Sequence, residues 1–89
     1  MHPRAQISGA NEMSQLRFHW DFFGPDAPTT AEHFLEHLED FCAREGIEGR
    51  KWSKPNPPAR YTVVLECEER HLAVVRGALK PVRGERVLE

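Results

Sequence analysis

The stretch LRFHWDFFGPDAPTTAEHFLEHLEDFCAREG, from Leu16 to Gly46, contains a strand, a chain break and a helix in succession. Apolar and polar residues alternate over its first seven positions, which is the pattern of a strand with one buried face. Gly24 to Pro28 interrupt the strand, because proline fixes φ and has no backbone N–H. Beyond them, apolar residues recur at helical spacing.

Signals for both ends of this helix are present. Thr29 and Glu32 have the spacing of a capping box, in which a hydroxyl and a carboxylate bind the first free N–H groups. Gly46 is placed to end the helix in the left-handed conformation, with Ile47 folding back onto it. The sequence therefore predicts a helix over residues 30–45.

The remainder of the chain adds three strands and a second helix. We expect strands over 50–54, 60–66 and 82–88, and a helix over 68–80 that Pro81 ends. The order β-α-β-β-α-β is that of the split βαβ, or ferredoxin-like, arrangement. Right-handed crossovers place both helices on one face of a four-stranded antiparallel sheet. We predict a flexible N-terminal arm, 1–13, and a single α+β domain of this ferredoxin-like kind, 14–89.

Composition restricts the class of function. Twelve Lys and Arg residues against fourteen Asp and Glu give a net charge of −2, which argues against a nucleic-acid partner. No apolar run approaches the roughly 20 residues of a membrane span. The first residues lack the apolar centre of a secretion signal, and two cysteines are too few for a disulfide scaffold. We therefore expect a cytoplasmic protein with reduced thiols and no membrane partner.

The sheet face that the helices leave open is the first candidate site. Arg17, His19 and Asp21 alternate along the first strand and share this face with Glu66. His19 could act as a base or a ligand with Asp21 orienting it, which would suit an enzyme that depends on a metal or small ligand. A plain surface contact, or polar residues in a dimer interface, is the favoured interpretation.

The outer flank of the first helix is the second candidate site. His33 and His37 are one helical turn apart and Asp40 follows on the same flank, a set that suits a divalent metal. A histidine pair at this spacing is a weak signal, and these positions face water. The favoured interpretation is a solvated polar flank.

Nucleophilic catalysis has little support from the sequence. Cys42 and Cys67 fall at core positions, where a cysteine behaves as a small hydrophobe. No phosphate-binding loop or nucleophile-elbow motif is present. We expect a small soluble binding or interaction domain without catalysis of its own, acting as a homodimer because a core of this size is marginal. The alternatives are an enzyme using His19 and Asp21, with a small molecule as partner, and a divalent-metal binder using His33, His37 and Asp40.

Overall fold

The computed structural model describes residues 14–87, which form a four-stranded antiparallel sheet with two helices. The predicted arm, 1–13, and the last two positions, 88–89, lie outside the described residues. The elements in chain order are β1 (Gln15–Phe23), α1 (Ala27–Glu45), β2 (Gly49–Asn56), β3 (Arg60–Glu68), a 3₁₀ turn (Glu69–His71), α2 (Leu72–Leu79) and β4 (Arg83–Arg86). The predicted α+β class is thus confirmed.

The strands lie in the order β2-β3-β1-β4, so that β1 and β3 form the centre of the sheet. Along β1, His19 pairs with Val64 of β3 on one side and with Arg83 of β4 on the other. Because paired residues point to the same face, this register fixes which side chains meet across the sheet.

The hydrophobic core lies between the helices and one face of the sheet. Both helices contribute to the same buried cluster, so they cover the same face. The cluster consists of Leu16, Phe18 and Trp20 from β1, Val63, Leu65 and Cys67 from β3, Ala31, Leu38, Phe41 and Cys42 from α1, Ile47, and Val75 from α2. Full burial of a large apolar side chain contributes about 1.5–3 kcal/mol, so this cluster is the main stabilising element.

Trp20 links the core to the second helix through a polar contact. Its indole Nε1–H donates a 2.9 Å hydrogen bond to the carbonyl of Leu79, the last residue of α2. The last carbonyls of a helix have no partner within the helix, so the indole satisfies one of them. The bond fixes the end of α2 over β1.

The prediction of a capping box at the start of α1 is wrong. The helix begins at Ala27, and no side chain caps it. Pro28 lies in the first turn, where its preset φ favours the helix and its missing N–H costs nothing. The helix therefore begins before Thr29 could act as its cap, and Thr29 and Glu32 are exposed within the helix.

The predicted end of α1 is confirmed. Gly46 has φ 71°, and the N–H of Ile47 donates a 2.9 Å hydrogen bond to the carbonyl of Cys42. Ile47 is buried against the core, as a residue after a left-handed terminator commonly is.

The later elements differ from the prediction at their ends. β3 extends two residues further than expected, to Glu68, because Glu68 pairs with Gln15 of β1. The second helix consequently begins later, after a 3₁₀ turn, and it ends at Leu79, followed by Lys80 with φ 49°. β2 continues through Pro55, which an edge strand tolerates because one side of it carries no ladder partner.

Candidate functional site

The sheet surface opposite the helices, here called the open face, carries one side chain from every second position of each strand. The predicted pocket residues Arg17, His19, Asp21 and Glu66 all lie on it. The full set is Gln15, Arg17, His19, Asp21 and Phe23 of β1, Arg50, Trp52, Lys54 and Asn56 of β2, Arg60, Thr62, Val64, Glu66 and Glu68 of β3, and Arg83 and Glu85 of β4.

His19 lies at the centre of this face and is only 6% exposed, although no helix covers it. Neither Nδ1 nor Nε2 of its imidazole has a hydrogen-bond partner in the described part of the chain. Nε2 lies 3.4 Å from Oε1 of Glu85, but the contact lacks the geometry of a hydrogen bond. His19 is therefore covered by its neighbours on the open face.

Burial lowers the pKa of His19 below its ordinary value of 6.5. The positive charges of Arg83 and Lys54 lower this pKa further, whereas the carboxylates of Glu85 and Asp21 raise it. The imidazole is consequently neutral at pH 7, with one nitrogen as a donor and the other as an acceptor. Both nitrogens are shielded from solvent by the surrounding side chains.

Asp21 is engaged by groups other than His19. Its Oδ1 accepts a 2.7 Å hydrogen bond from the Thr62 hydroxyl, which in turn accepts one of 3.0 Å from the Asn56 amide. Its Oδ2 lies 3.5 Å from Nη1 of Arg60 and 3.7 Å from Nη1 of Arg83. Asp21 therefore anchors a polar network, and the imidazole of His19 makes no hydrogen bond to it.

Arg17 and Glu66 are also paired, as part of a three-residue bridge. Oε1 of Glu66 accepts hydrogen bonds of 3.0 Å from Nη2 of Arg50 and 3.0 Å from Nε of Arg17. The bond from Arg50, aided by the one from Arg17, lowers the pKa of Glu66, although its burial opposes the shift. Arg50 also lies over the ring of Trp52, 5.3 Å from its centroid.

The open face is positively charged in an acidic protein. Five cationic side chains stand on it against four carboxylates, an excess of one, whereas the whole chain carries −2. An arrangement of this kind raises the local concentration of anions.

The predicted metal site lies on the other side of the molecule. His33, His37 and Asp40 are exposed on α1, so the sheet separates them from the open face. Within residues 14–87 no group of three or more His, Cys, Asp or Glu side chains is arranged to hold a metal ion.

Both cysteines are free and buried. Burial, with smaller effects from Cys42 and Glu68, raises the pKa of Cys67 to about 11, and burial raises that of Cys42 as well. Both thiols are therefore protonated at pH 7, and the reactive thiolate form is scarce.

A groove of about 500 Å³ between α2 and β4 was missed by the sequence reasoning. Its lining includes the apolar side chains of Leu16, Phe18 and Leu72 and the cationic ones of Arg76 and Arg86. Gly84 pairs with Phe18 beside this groove, and a Cβ at Gly84 would lie 3.3 Å from the Phe18 ring.

Comparison with protein-family models, curated proteins and solved structures gave no match for this chain. Neither helix in residues 14–87 has both the length and the apolar character needed to cross a bilayer. The interpretation of the site therefore depends on its own geometry.

Proposed function

We propose that this protein is a small binding domain without catalysis of its own, and that it binds a small polar ligand on the open face at His19. The observation that carries the proposal is the imidazole of His19, which is buried and has no hydrogen-bond partner for either nitrogen in the described chain. Leaving one buried polar group unsatisfied costs about 1–3 kcal/mol. A ligand that supplies the missing partner recovers this free energy on binding.

Binding is favoured over the alternative of an enzyme that uses His19 and Asp21. A catalytic base normally has an orienting partner on its second nitrogen. The Asp21 carboxylate instead receives the hydroxyl of Thr62 and the guanidinium of Arg60. The metal-binding alternative has less support, because His33, His37 and Asp40 are exposed and no three His, Cys, Asp or Glu side chains of residues 14–87 are arranged to hold a metal ion.

We also infer the finer fold class, the ferredoxin-like or split βαβ arrangement. The chain order β-α-β-β-α-β supports it, as does a sheet in which the strands that precede the two helices, β1 and β3, are adjacent and central. Fold class alone says nothing about the ligand.

A homodimer and a cytoplasmic location remain part of the proposal. The edge strand β4 has four residues, all exposed, and Val82 just before it is an exposed apolar side chain, so this edge is open to pairing with a second copy. Two buried cysteines that stay unbridged suit a reducing compartment. Light scattering on gel-filtered protein tests the dimer: a mass of two chains supports it, and a single-chain mass over the whole concentration range rejects it.

A ligand screen read by NMR tests the site. A panel of neutral, anionic and cationic metabolites is added singly to the ¹⁵N-labelled full chain. We expect the chemical-shift changes to cluster on His19 and its cross-strand neighbours, and to be lost in His19→Ala. Changes confined to the groove between α2 and β4, or no saturable change from any compound, would overturn the proposal.

A further inference from the structure

We propose that the ligand carries an oxyanion group, a phosphate or a carboxylate, that binds beside His19 between Arg60, Arg83 and Lys54. This inference rests on the proposed function, since it names the chemistry of the ligand that the open face takes. Oxyanions are the groups that guanidinium donors recognise best, because the planar fork matches two oxygens at once.

The strand register collects these cations around one carboxylate. Arg83 stands across from His19 on the β4 side, and Lys54 stands beyond Thr62, the residue that pairs with Asp21. Arg60 approaches Asp21 from β3. Three strands other than β1 therefore each supply one positive charge to the same end of the open face.

The cations at this end retain unused hydrogen-bond donors. Arg60 and Arg83 approach the same oxygen of Asp21, at 3.5 and 3.7 Å, distances at or beyond the limit of a hydrogen bond. Each guanidinium has five N–H donors, so most of them remain for a ligand. Lys54 makes no ion pair with any of residues 14–87, which leaves its ammonium available as well.

The other end of the open face is different, and this contrast locates the site. There, Arg17 and Arg50 both make 3.0 Å hydrogen bonds to Glu66. These short bonds commit both guanidinium groups to a carboxylate within the protein. The positive charge without a close internal partner is therefore concentrated near Asp21 and His19.

His19 completes the site because it adds a buried neutral donor next to the cations. An oxyanion that displaces the side chains shielding the ring accepts the imidazole N–H, whose nitrogen has no acceptor in the described part of the chain. The charged groups that face the ring are Arg83 and Glu85 of β4, Lys54 of β2 and Asp21 of β1. A bound anion offsets the two cations, so the pKa of His19 rises when the ligand binds.

The experiment titrates inorganic phosphate, and separately malonate as a dicarboxylate, into the full chain at ionic strength held constant with sodium chloride. The imidazole resonances of His19 are followed by NMR. We expect a saturable shift and a higher His19 pKa in the bound state. Arg83→Gln and Lys54→Gln should each weaken binding about tenfold, the loss expected for one charge-assisted hydrogen bond. Arg44→Gln, an exposed arginine of α1, serves as the matched control and should bind as the parent does.

Each outcome has a defined meaning. Saturation by phosphate alone or by malonate alone supports the inference and identifies the oxyanion. Absence of saturation by both, or binding that persists unchanged in the Arg83→Gln, Lys54→Gln double variant, overturns it. If neutral metabolites nevertheless shift His19 in the ligand screen, the open face remains a binding site and only the oxyanion is rejected. If nothing shifts His19, the proposed function itself is rejected.

Discussion

The Thr62 hydroxyl donates a 2.7 Å hydrogen bond to the carboxylate of Asp21, its cross-strand partner. Thr62 is fully buried, and it also accepts a hydrogen bond from the Asn56 amide. The hydroxyl is thus both donor and acceptor, and it ties the Asp21 carboxylate to β3. Asp21 therefore has a hydrogen-bond donor within the protein, whereas the imidazole of His19 has no hydrogen-bond partner in the described part of the chain.

Thr62→Val should destabilise the protein by about 1–3 kcal/mol. Valine has nearly the shape of threonine, but it leaves the buried Asp21 carboxylate without its closest donor and the Asn56 amide without its acceptor. Urea denaturation followed by circular dichroism gives the free energy of unfolding. Thr62→Ser is the matched control, because it keeps the hydroxyl and removes only the methyl; if Thr62→Val is as stable as the parent, the hydrogen bonds of the hydroxyl do not stabilise the fold.

His19→Leu should stabilise the free protein, by about 1 kcal/mol. Leucine fills a similar volume and removes two buried nitrogens that have no hydrogen-bond partner, so the desolvation cost of the imidazole disappears. Chemical denaturation of the variant and the parent at pH 7.5 measures the difference.

The control for His19→Leu is His33→Leu on the exposed flank of α1, for which we expect a change within about 0.5 kcal/mol. A loss of stability in His19→Leu would show that the imidazole makes a stabilising interaction in the folded chain. In that case, its unpartnered nitrogens would no longer indicate a ligand.

Stability should fall as the pH drops below 6.5. Since the pKa of His19 is lowered in the folded protein, the unfolded chain takes up this proton first as the solution becomes acidic. Above pH 6.5, the neutral imidazole of His19 makes its full contribution to the free energy of unfolding. This contribution is lost progressively as the pH falls from 6.5 through the folded-state pKa of His19. Unfolding free energies measured from pH 7.5 to 5 should show this slope.

Replacing His19 with glutamine should flatten that part of the curve, because glutamine does not titrate. His33→Gln, a change at an exposed histidine, should leave the slope as it is in the parent. An unchanged slope in His19→Gln would assign the pH dependence to other groups. Glu66 affects stability in a separate pH range, because its pKa is lowered in the folded protein. Its contribution to the free energy of unfolding is complete above pH 4.5 and is lost as the pH falls further.

The fold was predictable where the signal is local. Alternation along β1 and the glycine at the end of α1 depend on residues next to one another, and both are found in the structure. The start of α1 and the extent of β3 were mispredicted. At the start of α1, Pro28 lies in the first turn of the helix, so the helix begins before the capping pair Thr29 and Glu32. The end of β3 is set by its pairing with β1, a strand distant in sequence.

The candidate site was predictable only in part. Period two places Arg17, His19 and Asp21 on one face of β1 without any knowledge of the fold. Which partner each of them meets depends on the register between strands, and register is a tertiary property. The pairing of Asp21 with Thr62, and the approach of Arg83 from β4, were therefore beyond sequence reasoning, as was the burial of His19.

Gly49→Ala should destabilise the protein by about 2–3 kcal/mol or more, because there is no room for a side chain at the first residue of β2. A Cβ at Gly49 would collide with the backbone carbonyl oxygen of Glu66 and would also meet Cys67, and neither backbone can withdraw without disturbing the ladder. Gly77→Ala is the matched control: a Cβ there meets nothing, and alanine is favoured over glycine in a helix by about 0.8–1 kcal/mol. The two variants should therefore move the thermal midpoint in opposite directions. If Gly49→Ala melts at the parent's temperature, the close approach of β2 to β3 at this end of the sheet is incorrect, and with it the placement of Arg50 against Glu66.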